Sequence, residues 1–306
     1  MGVAVSTIDV KMTNRSDAVA QPSPLRNLSP SSKAIGGVVI LVVGACIVAA
    51  IFFFVTYDNG AIYHPTAPVT NGQYPIGIAN ANEPSGFAPP APNAVTGYSM
   101  SYVTDFSGRA LPKGWNVFFG VPGGDPGGQF GKKHVVVANG MLQLNAWRDP
   151  QYKNHWVTGG LCQCGLKKSY GAYFVRSRVT GTGPNEVELL WPFNNKWPPE
   201  IDFNESAGSV TSSSSTIHWS PVNQIEQKHL SINMKQWHTW GLVWTSGGVT
   251  YIVDGQVWGR ITNPNEITKT PMTLDLEQIA LCSLHRECPT RPVSMQVDWV
   301  SEYSAK

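Results

Sequence analysis

The sequence predicts an all-β domain, a two-sheet β-sandwich or jelly roll, over residues 98–306. Short runs of β-branched and aromatic residues recur after Tyr98, at 134–147, 171–179, 186–191, 239–245, 249–258 and 295–300. They have the length of strands, and turn-forming residues separate them. Asn139-Gly140 and Asp254-Gly255 are hairpin-turn dipeptides, each set between two such runs. With 30 Gly and 23 Pro, turns are frequent, and no segment shows a convincing amphipathic helical period or a solenoid or propeller repeat. A net charge of +2 is too near balance for a nucleic-acid partner.

The chain ahead of this domain reads differently. Residues 1–33 are polar, rich in Ser and Pro and without apolar period, which predicts a disordered tail. Residues 34–56 carry no charge, a run long enough to cross a bilayer as a single helix over 34–57. A cleaved leader has a shorter apolar core, so the run reads as a signal anchor. Lys11, Arg15, Arg26 and Lys33 lie on its N-terminal side and Asp58 on the other, which predicts a cytoplasmic N-terminus. The protein is thus expected in the cell membrane, single-pass, with everything after Tyr57 outside. Residues 58–97 hold seven prolines among Ala, Asn and Gly, and read as a disordered, partly polyproline spacer.

Within the β domain one stretch carries chemistry, Glu200-Ile201-Asp202-Phe203-Asn204-Glu205. Strand alternation puts Glu200 and Asp202 on one face and Ile201 and Phe203 on the other. Regular alternation would send Glu205 to the apolar side; a bulge at Phe203–Asn204 brings it back. Three acids on one face cannot all ionise freely, so their proton affinities must separate. Glycoside cleavage needs such a set, one carboxylate as nucleophile and one carboxylic acid as proton donor. A solvated acidic edge strand is the competing reading.

Four cysteines fall in the exported region, Cys162, Cys164, Cys282 and Cys288. An oxidising compartment favours disulfides, and Cys282–Cys288 closes a short plausible loop. Cys162–Cys164 would be stretched if both lay in an extended strand. A zinc site is the alternative, although Cys-x-Cys has poor ligand spacing.

The ordered pieces of residues 102–303 resemble glycoside hydrolase family 16, the laminarinase-like enzymes on a concanavalin-A-like jelly roll. They include Asp105-Phe106, Trp115, Asn139-Gly140-Met141-Leu142, Thr158-Gly159-Gly160, and Tyr170-Gly171-Ala172-Tyr173-Phe174-Val175-Arg176. Trp191, the acidic strand, Ile217-His218-Trp219, Trp237-His238-Thr239-Trp240 and Val297-Asp298-Trp299-Val300 follow in register. Phe174 stands where the family's strand usually carries Glu.

The resemblance implies a retaining glycosidase in which Glu200 is the nucleophile, Glu205 the general acid/base and Asp202 the assisting carboxylate. It implies a β-linked polysaccharide as substrate, with β-1,3-glucan foremost, and no required cofactor. The alternatives are a transglycosylase of the same fold that remodels an exported polysaccharide, and a non-catalytic carbohydrate-binding jelly roll. Trp191, Trp219 and His218 are candidates for sugar contact, since an indole covers the apolar face of a pyranose. Asp298 matches a position that helps bind a structural calcium in some relatives, with a strand-end hydrogen-bonding role as the alternative. A monomeric catalytic domain is expected.

Overall fold

The computed structural model describes residues 73–282 and 288–306. The predicted tail, the membrane-spanning run and the first part of the spacer lie outside the described residues. No described helix is long and apolar enough to cross a membrane.

Among the described residues the domain is built from strands, with short 3-10 turns at Lys132–His134 and Pro150–Tyr152 between them. In chain order the strands begin with β1 (Ile78–Ala79), β2 (Phe87–Ala88), β3 (Tyr98–Thr104) and β4 (Asn116–Val117). There follow β5 (Val135–Ala138), β6 (Met141–Asp149), β7 (His155–Val157) and β8 (Gly160–Cys162). The middle of the chain supplies β9 (Gly171–Val179), β10 (Asn185–Pro192), β11 (Glu200–Glu205), β12 (Ser212–His218) and β13 (Ile225–Ser231). The last five are β14 (His238–Thr245), β15 (Gly248–Val253), β16 (Gln256–Ile261), β17 (Met272–Ile279) and β18 (Val293–Ala305).

Two large antiparallel sheets result, beside a two-stranded ribbon of β1 and β2. One has the order β13-β12-β11-β10-β17-β8-β4. The other runs β16-β15-β14-β9-β18-β6-β5, with β3 and β7 paired to β18 and β6. Non-local pairings such as β10–β17 and β9–β18 make this a sandwich rather than a meander, as the texture of short strands predicted. Both predicted hairpin dipeptides adopt positive φ at both residues, 56° and 72° at Asn139-Gly140, 46° and 79° at Asp254-Gly255. Those values match the turn that suits strand twist.

The core lies between the sheets. Ile201, Phe203, Leu190, Leu274 and Leu276 reach it from the first sheet, and Tyr173, Val175, Trp240, Leu242 and Val297 from the second. These alternate residues are fully enclosed, so their neighbours on the first sheet face away from the core. Removing a ring such as Phe203 would leave a cavity and cost about 3–5 kcal/mol.

The spacer reading of residues 58–97 needs correction where the structure describes it. Residues 73–97 are a strap folded onto the second sheet's outer face, whose large apolar residues Phe174, Ile252, Trp299 and Tyr303 are buried with Val95. The strap is pinned by backbone bonds that its prolines leave available. Trp299 Nε1–H donates to Phe87 O at 2.9 Å, Tyr303 O–H to Ala91 O at 3.1 Å, and Thr239 O–H to Ile76 O at 2.9 Å. Composition pointed to a spacer because the partners of these carbonyls lie more than 150 residues away in sequence. Phe174, the departure from the family's Glu, is the apolar floor on which the strap's Tyr74 rests.

Both cysteine pairs are disulfides. Cys162–Cys164 is feasible because Cys164 lies in the turn after β8, which shortens the Cα separation to 5.0 Å.

The strap generates a direct expectation. Residues 73–306 should unfold as one cooperative unit, whereas 98–306, stripped of the strap, should lose at least about 3 kcal/mol, roughly 10 °C in Tm, or aggregate. Equal melting temperatures for the two fragments would show that the strap is a passive spacer.

Candidate active site

Strand β11 lies third from one edge of the first sheet, between β12 and β10. Against β12, Asp202 pairs with Thr216 and Glu205 with Ser214, so three steps on β11 span two on its partner. Against β10, Glu188 pairs with Asn204 and Leu189 with Asp202, which leaves Phe203 as the extra residue. The predicted bulge is present at Phe203–Asn204. Phe203 stays in the core while Glu205 returns, partly exposed, to the face that carries Glu200 and Asp202.

Each carboxylate is held by a neighbour. Trp197 Nε1–H donates to Glu200 Oε2 at 2.7 Å. Asn185 on β10 donates from Nδ2 to Glu205 Oε1 at 3.0 Å. Asn185 Oδ1 in turn accepts from the Ala207 N–H at 2.6 Å, which ties the acid's holder to the loop after β11. His218, paired with Glu200 across β12, turns Nε2 to Asp202 Oδ2 at 3.3 Å and Nδ1 to Asn223 Oδ1 at 2.6 Å.

Electrostatics follow from this crowding. Burial pushes the Glu200 carboxyl well above the usual carboxylate range, and the Asp202 charge adds to that; His218 and the Trp197 N–H oppose it. Burial alone would lower the His218 imidazolium. The hydrogen bond and charge of Asp202, reinforced by Glu200, override it and raise His218 to about 9. At neutral pH the site therefore holds a cation against its central carboxylate, with both ring N–H groups donating.

Of the predicted sugar-contact residues, Trp191 and His218 share the outer face with the acids. Leu190 points into the core, so Trp191 faces out beside Glu200, its Nε1–H given to Asn195 Oδ1 at 2.7 Å. Trp219 does not join them. It follows His218 by one step and packs against the inter-sheet core, as strand alternation requires. His238, Trp240 and Trp244 are buried framework; His238 is held by Asp254 at 2.7 Å. Trp115 and Trp156 are also buried, and Trp147 is stacked on His134.

Two residues that hold the acids, Trp197 and Asn185, were not singled out from sequence. Only the fold shows that Trp197 reaches Glu200. Asn185 carried no signal, because its role depends on cross-strand register.

Asp298 lies beneath the strap, where Oδ2 accepts from the Ser85 N–H at 3.0 Å and the Arg176 charge is close enough to act on it. Among the described residues no group of three His, Cys, Asp or Glu side chains is placed to hold a metal ion. Its contacts support the strand-end role. Cavities of about 260 and 420 Å³ lie away from the acidic face.

Comparison with known proteins agrees with this architecture. The model of Glycosyl hydrolases family 16 matches residues 128–301. The laminarinase catalytic domain of Thermotoga maritima superimposes with a TM-score of 0.59 at 17% identity, covering 68% of this chain and 99% of that one. The endo-β-1,3-glucanase of Pyrococcus furiosus gives 0.59 at 19% identity, covering 68% and 94%. SCLam, a non-specific endo-β-1,3(4)-glucanase, gives 0.62 at 21% identity, covering 69% and 92%. No curated protein sequence matches the chain. The family match spans more than half of the sequence and contains the whole acidic strand: the chain belongs to glycosyl hydrolases family 16 and is a glycosidase.

Proposed function

We propose that the protein is a retaining β-glucan hydrolase, with β-1,3-linked glucan its first substrate, acting through Glu200, Asp202 and Glu205. One observation carries the reading: the bulge returns Glu205 to the face of Glu200 and Asp202, with each acid individually held. The laminarinases and glucanases among the similar structures support the substrate class, as does SCLam with a 1,3-β-D-cellobiosyl-glucose at its active site.

The chemistry proceeds by double displacement. Glu205, as a carboxylic acid, gives its proton to the glycosidic oxygen while Glu200, as a carboxylate, attacks the anomeric carbon. Bond breaking releases the leaving sugar and leaves a glycosyl ester on Glu200. Glu205, now ionised, removes a proton from water, which attacks the same carbon and restores both groups with configuration retained. Glu200 must be ionised to attack; burial and the Asp202 charge oppose that form, and the His218 charge and the Trp197 N–H favour it. Asp202 joins His218 to the nucleophile's surroundings and supplies the negative charge that His218 balances. Trp191 offers an apolar surface beside the nucleophile for a sugar face.

The reading also places the domain outside a membrane, tethered through residues 34–57. Their uncharged length and basic N-terminal flank support this. The full chain should stay with membranes after alkaline washing, while residues 73–306 should be released; recovery of the full chain in the soluble fraction would refute the anchor.

Substitution separates the roles. Glu200→Gln should lower kcat on laminarin by at least about 10³-fold with glycan binding retained. Glu205→Gln should lose roughly 10²–10⁴-fold on polysaccharide but far less on an aryl glycoside whose leaving group needs no proton. A wild-type protein that cleaves neither laminarin nor lichenan, or variants that keep full activity, would sink the proposal.

A further inference from the structure

Two carboxyl groups that this mechanism does not use lie directly behind the site. Glu186 and Glu188 point from β10 to the core side and are 1% and 0% exposed. Burial raises each to about 8 against the hydrogen bonds that would lower them, so at neutral pH both are largely uncharged. Glu188 stands opposite the bulge: it pairs with Asn204, and the register step falls between Glu188 and Leu189.

A continuous set of contacts runs through it. Ser177, from β9 of the opposing sheet, donates its hydroxyl to Glu188 Oε1. The Asn204 side chain lies against the same carboxyl. Asn204 Oδ1 accepts from Ser213 Oγ on β12 at 2.6 Å, and Ser213 Oγ accepts from the backbone N–H of Glu205 at 3.2 Å. The path links the second sheet to the backbone of Glu205 through the bulge itself.

A bulge without an anchor can slip by one residue, and a slip reverses which side chains face out. Here it would turn Asn204 outward and Glu205 inward. We propose that Glu188 is a positioning residue for Glu205: its buried carboxyl bolts the bulge to the opposing sheet and so keeps the acid on the substrate face. The inference rests on Glu205 being the acid. The carboxyl accepts from the Ser177 hydroxyl and meets the Asn204 side chain, which joins the two sheets through one group. Ionisation would strand a charge in the core.

The groups packed around Glu188 are few. Its own strand presents Glu186, whose charge would raise it further. From β9 and β11 come Ser177 and Asn204, and β17 sets Leu276 opposite it and Gln278 opposite Glu186. None of these four titrates. The sign is then fixed: a carboxyl raised from 4.5 to about 8 on folding contributes stability that is complete below 4.5 and lost as pH rises through about 8.

The test uses the full chain with Glu188→Gln and Glu188→Leu. The Gln variant keeps an acceptor and a donor that never ionises, so it should retain kcat within about threefold and show a shallower fall of Tm from about pH 5 to pH 9 than the wild type. The Leu variant, folded by circular dichroism, should lose at least about 10-fold in kcat on laminarin with KM little changed. Wild-type kcat in folded Glu188→Leu, or identical Tm slopes for wild type and Glu188→Gln, would overturn the proposal. The Tm comparison needs no turnover. It therefore judges Glu188 even if laminarin proves not to be the substrate, and should Glu188→Leu fail to fold.

Discussion

One additional residue in one strand sets the geometry of the whole acidic face. With regular alternation β11 would present Glu200, Asp202 and Asn204 outward and bury Glu205 beside Phe203. The bulge costs a paired residue and weakens the local ladder, so something must hold it. The surrounding strands do so from both sides. Ser215 Oγ donates to Phe203 O at 2.9 Å, and Ser213 contacts both Asn204 and Glu205. The run of serines on β12, which looks like low-complexity filler in the sequence, is the set of small hydroxyl groups that satisfies the bulge's displaced backbone.

The same constraint explains the charge arrangement. Once Glu205 is returned to the outer face, three carboxylates share a surface patch, and repulsion among them must be managed. The protein gives each acid its own neutral or cationic partner: the Trp197 indole, the His218 imidazolium and the Asn185 amide. The partners differ in kind, as a fold that holds a nucleophile and an acid together requires.

Much of this was legible beforehand. The strand texture, the two hairpin dipeptides and the spacing of Glu200, Asp202 and Glu205 are local signals, and local signals survive in a single sequence. The bulge could be inferred because alternation and the positions of the three acids cannot both be regular. What sequence could not show depends on pairing at long range. Trp219 and Trp191 were both candidates for the site, and only register separates an outward residue from an inward one. The strap of residues 73–97 has the composition of a linker, and its order comes from Trp299, Tyr303 and Thr239, which lie far along the chain. Asn185 and Glu188 are silent in sequence for the same reason.

The account stands on Glu200 and Glu205 acting as a nucleophile and an acid on one face. Trapping tests this most directly. A 2-deoxy-2-fluoro β-glucosyl donor extended by a β-1,3-linked glucose should form a stable ester, located by peptide mass spectrometry. The account predicts a single label on Glu200, formed only slowly in Glu205→Gln unless the leaving group is activated. A label on Glu205 or Asp202, or steady turnover with inverted configuration and no label, would contradict it.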